Sequence, residues 1–294
     1  MIRQPAAPPR VALATSIPLT PSDQQLLAPL HALGFLAEPV IWSDPAIEWT
    51  EYAAVVIRSC WDYHHRINEF LDWIARVETA RVPVINTAST VRWNASKTYL
   101  TELGARGVPI PPTIVVRRGA TDREAAPAIA ALPSTDVVIK PAVSATAYET
   151  WRATVPLDPV DTARLRALTA RGDVIVQSFV REIATSGELS FVFFDGVYSH
   201  AARKLPRQGD FRVQADHGGL LEITDAPAEI IRQAEAIVRH APSVPTYARV
   251  DGVVIGGVFT LMELELIEPE LYLSQVGAAA PRFAAAIARA IPRA

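Results

Sequence analysis

The stretch Val137-Val138-Ile139-Lys140-Pro141 joins three β-branched apolar residues to a lysine and a proline. β-branched residues favour strands and a proline interrupts them, so we predict a buried strand with the Lys140 ammonium at the rim of its sheet. In the loop that follows, Val143-Ser144-Ala145-Thr146-Ala147, the side chains are small. Its backbone N–H groups and the Ser144 hydroxyl can therefore cover phosphates, with an ordinary turn as the alternative.

Lysine is rare in this chain of 294 residues. Of the 28 lysines and arginines, only Lys97, Lys140 and Lys204 are lysines. Lysine and arginine serve solubility equally well, but a compact ammonium differs from a guanidinium where it must reach a phosphate or a carbonyl. The three lysines are therefore candidates for chemistry, with retention by chance as the alternative.

The composition excludes several classes of protein. A hydrophobic fraction of 50% with 20% charged residues is typical of soluble globular proteins, and a net charge of −3 gives no electrostatic case for nucleic-acid or membrane binding. We find no membrane-spanning apolar run and no signal peptide in residues 1–10. The single Cys60 suits a reducing compartment, so we expect a cytoplasmic protein. A homodimer is compatible with the apolar composition.

Strands and helices alternate in the first third of the chain. The predicted strands cover residues 11–16, 37–41, 53–57 and 82–86, and the predicted helices cover 20–34 and 67–77. Such alternation predicts a parallel sheet covered by helices, with ligands beyond the carboxyl ends of its strands.

The loop Arg58-Ser59-Cys60-Trp61-Asp62-Tyr63 follows the third of these strands. Arg58 can hold a carboxylate there, and Trp61 and Tyr63 can wall a pocket, unless these aromatic residues pack on a neighbouring domain. We expect a buried thiol at Cys60, because no base lies beside it. His64 and His65 fit surface polar residues better than metal ligands.

The proline-rich run at residues 108–113 ends a helix predicted over residues 97–107 and marks a boundary. A second alternation follows, with predicted strands at 113–117, 136–140 and 173–179 and predicted helices at 122–131 and 159–171. The remainder is rich in strands, predicted at 188–194, 197–203, 246–251 and 258–265, with helices at 227–240 and 281–290.

Acidic residues gather near the end of the chain. In Leu261-Met262-Glu263-Leu264-Glu265-Leu266 a period of two places Glu263 and Glu265 on one face of a strand. Asp251 ends the preceding apolar strand, and three converging carboxylates suit Mg²⁺. A solvated edge is the alternative for this cluster, as a solvated turn is for Glu268 and Glu270.

Phosphate recognition would need separate cations in this chain. The sequence contains no Gly-x-x-x-x-Gly-Lys-Ser/Thr loop, no Gly-x-Gly-x-x-Gly and no His-Glu-x-x-His. Arg212 precedes the pair Gly218-Gly219, and a guanidinium beside such a pair can clamp a transferring phosphoryl group.

An ordered set of six motifs resembles the ATP-grasp ligases. The motifs are Asn94-Ala95-Ser96-Lys97, Val137–Pro141, Val176-Gln177-Ser178-Phe179-Val180, Glu188, Phe211-Arg212 with Gly218-Gly219, and Glu263-Leu264-Glu265. The resemblance spans nearly the whole chain and implies an α/β ATP-grasp fold. Its expected parts are an N-terminal parallel-sheet substrate domain (1–95), a central lid (96–180) and a C-terminal ATP and metal domain (181–294).

The resemblance also implies ATP and Mg²⁺ as cofactors and a role for each matching residue. Implied ATP contacts are Lys97, Lys140 and Ser144 at the phosphates, Gln177, Phe179 and Val180 at adenine, and Glu182 or Glu188 at the ribose. Lys204 and Arg212 are the implied catalytic residues at the γ-phosphate and acyl phosphate, and Asp251, Glu263 and Glu265 the implied Mg²⁺ ligands. The chain departs from the family pattern at two places. The lid loop, Val143–Ala147, is poor in glycine, and Glu265 stands where the family often has Asn.

Within that family, Arg58-Ser59-x-Trp61-Asp62-Tyr63 is similar to the cyclo-ligases of cycloserine biosynthesis, which close O-ureido-D-serine. The implied substrate residues are Arg58, Ser59, Trp61, Asp62, Tyr63 and Glu268. The predicted reaction activates the carboxylate of a small amino-acid-like substrate as an acyl phosphate, which a nitrogen atom then attacks. A ligase that joins two substrates and a nucleotide-binding protein without catalysis are the alternatives.

Overall fold

The computed structural model describes residues 7–207, 212–213 and 218–292. Its strands form three sheets, each built from a different third of the chain. The sheets fall within the three ranges expected from the sequence, while the exact domain limits stay a prediction. No described helix is both long and apolar enough to cross a bilayer.

The first sheet is parallel, as predicted, with the strand order β2-β1-β3-β4. Its strands are β1 (Arg10–Thr15), β2 (Leu36–Ile41), β3 (Ala54–Ile57) and β4 (Val84–Ile85). The helices of this unit are α1 (Pro21–Gln24), α2 (Leu27–Ala32), α3 (Ile67–Thr79) and α4 (Ala88–Asn94).

One predicted helix, over residues 20–34, is divided into α1 and α2. Pro29 explains the break, because it has no N–H to donate to Gln25 and its ring crowds that carbonyl. The Thr20 hydroxyl caps α1 by accepting a hydrogen bond from the N–H of Asp23 (3.1 Å). Within α1, the side chains of Ser22 and Asp23 are buried.

The second sheet is antiparallel, with the order β5-β8-β6-β7. It contains β5 (Thr113–Val116), β6 (Asp136–Pro141), β7 (Trp151–Thr154) and β8 (Val174–Ser178), with α5 (Tyr99–Ala105) before it and α6 (Asp122–Ala130) and α7 (Pro159–Arg171) packed beside it. The helix predicted from Lys97 therefore begins only at Tyr99. β7 was not predicted, because its alternation of buried and exposed side chains covers only four residues.

The third sheet is also antiparallel, with the order β11-β10-β9-β12-β13. Its strands are β9 (Glu188–Phe194), β10 (Val197–Leu205), β11 (Leu220–Thr224), β12 (Tyr247–Ile255) and β13 (Val258–Glu265), and its helices are α8 (Glu182–Ser186), α9 (Ala228–Val238) and α10 (Ala279–Ala290). β11 was not predicted, because its side chains are mostly exposed and show no alternation.

The outer edge of β13 is held by side chains from the N-terminal half of the chain. The Asn94 amide donates to the Leu264 carbonyl (2.8 Å) and accepts from the N–H of Leu266 (2.8 Å). The Tyr99 hydroxyl accepts from the N–H of Leu264 (2.9 Å). These side chains satisfy backbone groups that an edge strand would otherwise expose, and so fix β13 against the first unit.

We expect Asn94→Asp to lower the free energy of unfolding by about 2 kcal/mol, because an amide donor is replaced by an oxygen that faces the buried Leu264 carbonyl. Urea denaturation followed by tryptophan fluorescence measures this change. Asn68→Asp, at an exposed position of α3, is the matched control and should shift stability by less than about 0.5 kcal/mol. Equal stability of Asn94→Asp and the wild type would contradict the role of this amide.

Candidate active site

A cavity of about 660 Å³ lies where residues of all three units meet. Trp61 lines it from the first unit, Val138 from the second sheet and Glu263 from the third. Its volume falls within the range of roughly 300–1,000 Å³ that is usual for small-molecule sites.

All three lysines of the chain line this cavity. The Lys97 ammonium lies 2.7 Å from Glu263 Oε1, and the Lys204 ammonium lies 2.9 Å from both Glu188 Oε2 and Asp251 Oδ2. Burial opposes both charges, but the neighbouring carboxylates outweigh it and raise the pKa of each lysine. Both ammonium groups are therefore cations held by the protein itself.

Lys140 differs from the other two lysines. It stands at the end of β6, and within the described part of the chain no carboxylate lies within 4 Å of its ammonium. Burial lowers its pKa, which shows that the charge is poorly compensated. Beside it, the Ser144 carbonyl accepts a hydrogen bond from the Lys97 ammonium (2.6 Å), so the loop after β6 is fastened over the cavity.

The three acidic residues predicted as metal ligands occupy neighbouring positions on β12 and β13. Asp251 pairs with Glu263 across the two strands, and Arg249 pairs with Glu265. The Arg249 guanidinium donates to Asp251 Oδ1 (3.0 Å) and Oδ2 (2.9 Å) and also binds Glu265. The sequence analysis missed Arg249, although a period of two in Arg249-Val250-Asp251 places both charges on one face of the strand.

The role of these three acids as metal ligands stays a prediction. Across residues 7–207, 212–213 and 218–292, no group of three or more His, Cys, Asp or Glu side chains is placed to hold a metal ion. The physical reason is that Asp251, Glu263 and Glu265 are each bound by a lysine or an arginine. The donor chemistry still fits a hard cation, because three carboxylates on adjacent strands open on one cavity.

The pKa values of the buried carboxyl groups in the cavity are shifted in opposite directions. Burial alone would raise the pKa of Asp251, but Arg249 and Lys204 outweigh it and lower that pKa. Burial raises the pKa of Glu265 to about 8. Arg249 acts to lower this pKa, but the carboxylates around Glu265 act to raise it and oppose the effect of Arg249. Burial likewise raises the pKa of Glu268 to about 7.

Arg58 and Ser59, predicted to contact the substrate, do not line the cavity. Arg58 is 2% exposed, and its Nε donates to Asp23 Oδ1 (2.8 Å) while Nη2 donates to the Pro269 carbonyl (2.9 Å). The Ser59 hydroxyl donates to the second oxygen of Asp23. Arg58 thus binds a carboxylate, as its position suggested, but that carboxylate belongs to the protein.

The aromatic residues of the same loop do reach the cavity. Trp61 and Tyr63 line it, whereas Asp62 lies outside and accepts hydrogen bonds from Trp42 Nε1 (2.9 Å) and Arg66 (3.1 Å). The aromatic side chains of the loop therefore face the cavity, whereas Arg58 and Asp62 form hydrogen bonds with other residues of the protein.

Cys60 of this loop and the two histidines that follow it make contacts within the protein. Cys60 is fully buried, as expected, and burial raises the pKa of its thiol well above the usual range. The rings of His64 and His65 lie 3.8 Å apart, and both contact Tyr148 of the second unit. These contacts attach the segment after the lid loop to the first unit.

The residues expected at adenine lie together on one wall. Gln177, Phe179 and Val180 line the cavity, and the Gln177 amide donates to the Thr113 hydroxyl (2.8 Å). The Arg152 guanidinium covers the Phe179 ring at 3.9 Å. This wall is therefore formed by the end of β8 and the segment that follows it.

The structure separates the two residues expected at the ribose. Glu188 lines the cavity, whereas Glu182 begins α8 outside it. Arg212 and Gly219 also line the cavity, and Phe211, the neighbour of Arg212 in its motif, lies outside the described residues.

One lining segment was missed by the sequence analysis. The Ser22 hydroxyl donates to Glu270 Oε1 (2.6 Å), which also accepts from the N–H of Tyr272 (2.7 Å). Thr20, Ser22, Glu270 and Tyr272 all line the cavity. No local pattern indicates such a contact, because the two side chains are 248 residues apart in the chain.

Known proteins share this arrangement along the whole chain. A family model for the N-terminal domain of D-cycloserine synthetase DcsG matches residues 11–86. The cycloserine biosynthesis protein DcsG of Streptomyces lavendulae is 34% identical over 290 residues, which cover 94% of this chain and 95% of that protein.

Two solved structures also match nearly the whole of this chain. The crystal structure of D-cycloserine synthetase DcsG matches with a TM-score of 0.84 at 32% identity, over 96% of this chain and 100% of that one. The ATP-grasp ligase PsnB, complexed with a precursor variant, Mg and ADP, matches with a TM-score of 0.64 at 18% identity, over 95% and 98% of the two chains. The fold is therefore the ATP-grasp fold.

The raised pKa of Glu268 predicts a pH-dependent stability when metal and nucleotide are absent. Between its ordinary value of 4.5 and about 7 the folded chain keeps a proton that the unfolded chain has released. Stability should therefore fall as the pH rises through this interval, by on the order of 3 kcal/mol. Glu268→Gln should remove about half of the dependence between pH 5 and pH 7, because Glu265, whose pKa is raised to about 8, contributes over the same interval.

Urea denaturation in EDTA at pH 5 and pH 7 checks this expectation. Glu235→Gln, on α9 and outside the cavity, is the control and should follow the wild-type dependence. Identical pH dependences for Glu268→Gln and the wild type would show that the Glu268 carboxylate is not destabilised by burial.

Proposed function

This chain belongs to the family of the D-cycloserine synthetase DcsG, and we propose that it closes O-ureido-D-serine to D-cycloserine while ATP is split into ADP and phosphate. The identity to the curated relative extends over nearly the full length of both chains, which supports a shared reaction. We further propose that the enzyme acts in the cytoplasm, where a buried free thiol such as Cys60 persists.

The observation that carries the proposal is the uncompensated ammonium of Lys140. An ammonium whose pKa is lowered by burial gains free energy from any anion that reaches it. The loop fastened beside it, with the Ser144 hydroxyl and several backbone N–H groups, suits phosphate oxygens. A nucleotide phosphate meets both requirements, so we place the phosphates of ATP here.

The other nucleotide contacts follow from this placement. Lys97, next to Lys140, would share the phosphates, and the wall beyond β8 would take the adenine through Gln177, Phe179 and Val180. Glu188, which lines the cavity, is the better candidate for the ribose than Glu182. We keep the division at residues 95 and 180 as a proposal, since the nucleotide would then lie between the central lid and the C-terminal domain.

We propose that Mg²⁺ binds to Asp251, Glu263 and Glu265. Their carboxylates lie on adjacent strands beside the proposed phosphate site, and they would exchange their present ion pairs for the metal. When bound, Mg²⁺ neutralises charge on the phosphate oxygens.

The residues of this chain would then offset charge and position the reacting atoms. A carboxylate oxygen of the substrate bonds to the γ-phosphorus while the bond from that phosphorus to ADP breaks, which gives an acyl phosphate. Lys204 and Arg212 would offset the charge on the transferred group. The ureido nitrogen that is bonded to oxygen then attacks the acyl carbon, and phosphate leaves.

D-cycloserine lacks the carbamoyl group of O-ureido-D-serine. Water must therefore also release that group, as carbon dioxide and ammonia, for the atoms to balance. Trp61 and Tyr63 would enclose the substrate, and closure of the ring needs no nucleophilic side chain.

We expect purified protein with Mg-ATP and O-ureido-D-serine to release ADP and D-cycloserine in equal amounts. Lys140→Ala should lower kcat/KM by about 100-fold or more, because an interaction with the transferring phosphate is lost. Arg117→Ala is the matched control, since this cation lies on the rim of the second sheet with 73% of its side chain exposed. Its activity should equal that of the wild type.

Other outcomes separate the alternatives. Release of ADP only with a pair of amino acids would keep the ligase and discard cyclisation. Tight ATP binding without ADP release for any substrate would favour a nucleotide-binding protein without catalysis.

A further inference from the structure

The carboxylates that line the cavity fall into two groups. Four of them, Glu188, Asp251, Glu263 and Glu265, each bind a lysine or an arginine of the chain. The other two, Glu268 and Glu270, have no ion pair within 4 Å among the residues that the structure describes. The second group is therefore a pair of carboxylates without a direct ion pair in the cavity wall.

Glu268 is the more deeply buried of the two. It is 9% exposed, yet its carboxylate makes no hydrogen bond to any other described residue. A buried carboxylate without a partner is costly, so its position in a cavity wall points to a partner that arrives with the ligand. The nearby Lys97 ammonium does not serve, because Glu263 and the Ser144 carbonyl hold it.

Glu270 is held in one orientation. Its Oε1 accepts hydrogen bonds from both the Ser22 hydroxyl and the Tyr272 N–H, whereas Oε2 accepts none from the described residues. One carboxylate oxygen is therefore fixed by the protein, and the other is left for a donor that enters the cavity.

Two buried arginines hold the backbone between these carboxylates. Arg58 donates to the Pro269 carbonyl (2.9 Å), and Arg249 donates to the Glu270 carbonyl (3.1 Å). Neither guanidinium lies within 4 Å of the two glutamate carboxylates, because Arg58 is paired with Asp23, and Arg249 with acids of β12 and β13. Arg58 thus acts as a positioning residue that keeps the backbone beside these carboxylates rigid.

We propose that Glu268 and Glu270 form the subsite that receives the α-ammonium group of the substrate, an inference that rests on the proposed function. An ammonium has three donors and one positive charge, which match two carboxylates with unused acceptor oxygens. The same charges repel the substrate carboxylate, so the carboxylate is held away from this subsite. The subsite therefore selects amino acids and sets their direction in the cavity.

The test removes the ammonium from the substrate and the charge from the protein separately. Calorimetry measures the Kd of O-ureido-D-serine and of 3-(ureidooxy)propanoate, which lacks only the amino group, for the wild type and for Glu268→Gln. The wild type should bind O-ureido-D-serine about 10- to 100-fold more tightly than the propanoate, as expected for charge-assisted hydrogen bonds. In Glu268→Gln the affinity for O-ureido-D-serine should fall by about tenfold or more, while the propanoate stays within about twofold.

Two further variants and a fold check complete the design. Glu270→Gln should show the same selective loss, and Glu229→Gln, an exposed glutamate of α9, should bind both ligands as the wild type does. Unchanged binding of a non-hydrolysable ATP analogue shows that each variant is folded. An equal loss of affinity for both ligands, or no loss, would overturn the ammonium subsite and leave the proposed reaction intact. A wild type that binds neither ligand would overturn both proposals.

Discussion

Compensation of buried charge is the constraint on which the rest of the site depends. Lys204 extends from β10 to Glu188 on β9 and Asp251 on β12, so one ammonium holds three neighbouring strands in register. Arg249 does the same for β12 and β13 and extends to the backbone of Glu270. Buried ion pairs add little net stability, but separating one leaves a buried charge without its partner, which is costly. This cost fixes the relative positions of the strands that line the cavity.

Charge pairing also connects the lid loop, residues 143–147, to the site. The Lys97 ammonium binds Glu263 of β13 and the Ser144 carbonyl, so a single cation joins β13 to the loop over the cavity. That loop is poor in glycine, yet Thr146, Ala147 and Glu149 have positive φ angles of 49°, 56° and 48°. Such angles are unfavourable for these residues, and they are maintained by the contacts at either end of the loop.

How much could be predicted from the sequence depends on whether a feature is local. β6 was found because a run of β-branched residues marks it, and the paired glutamates of β13 were found because a period of two reveals them. β7 and β11 were missed because they are short or exposed, and the break before α2 was missed although Pro29 signals it. The pairs Arg58–Asp23 and Ser22–Glu270 join distant parts of the chain, so only the fold reveals that Arg58 serves the protein and not the ligand.

Unpaired charges of both signs line the cavity. Among the described residues, no carboxylate lies within 4 Å of the Lys140 ammonium, and no lysine or arginine lies within 4 Å of the Glu268 and Glu270 carboxylates. A ligand pair that is negative at its phosphates and positive at its amino group supplies a partner to both, whereas either ligand alone supplies a partner to only one. Each ligand therefore creates the electrostatic setting in which the other binds better, without any change of fold. A carboxylate that binds an amino group also repels phosphate oxygens, so the proposed subsite would disfavour phosphoryl transfer to the amine and leave the substrate carboxylate as the acceptor.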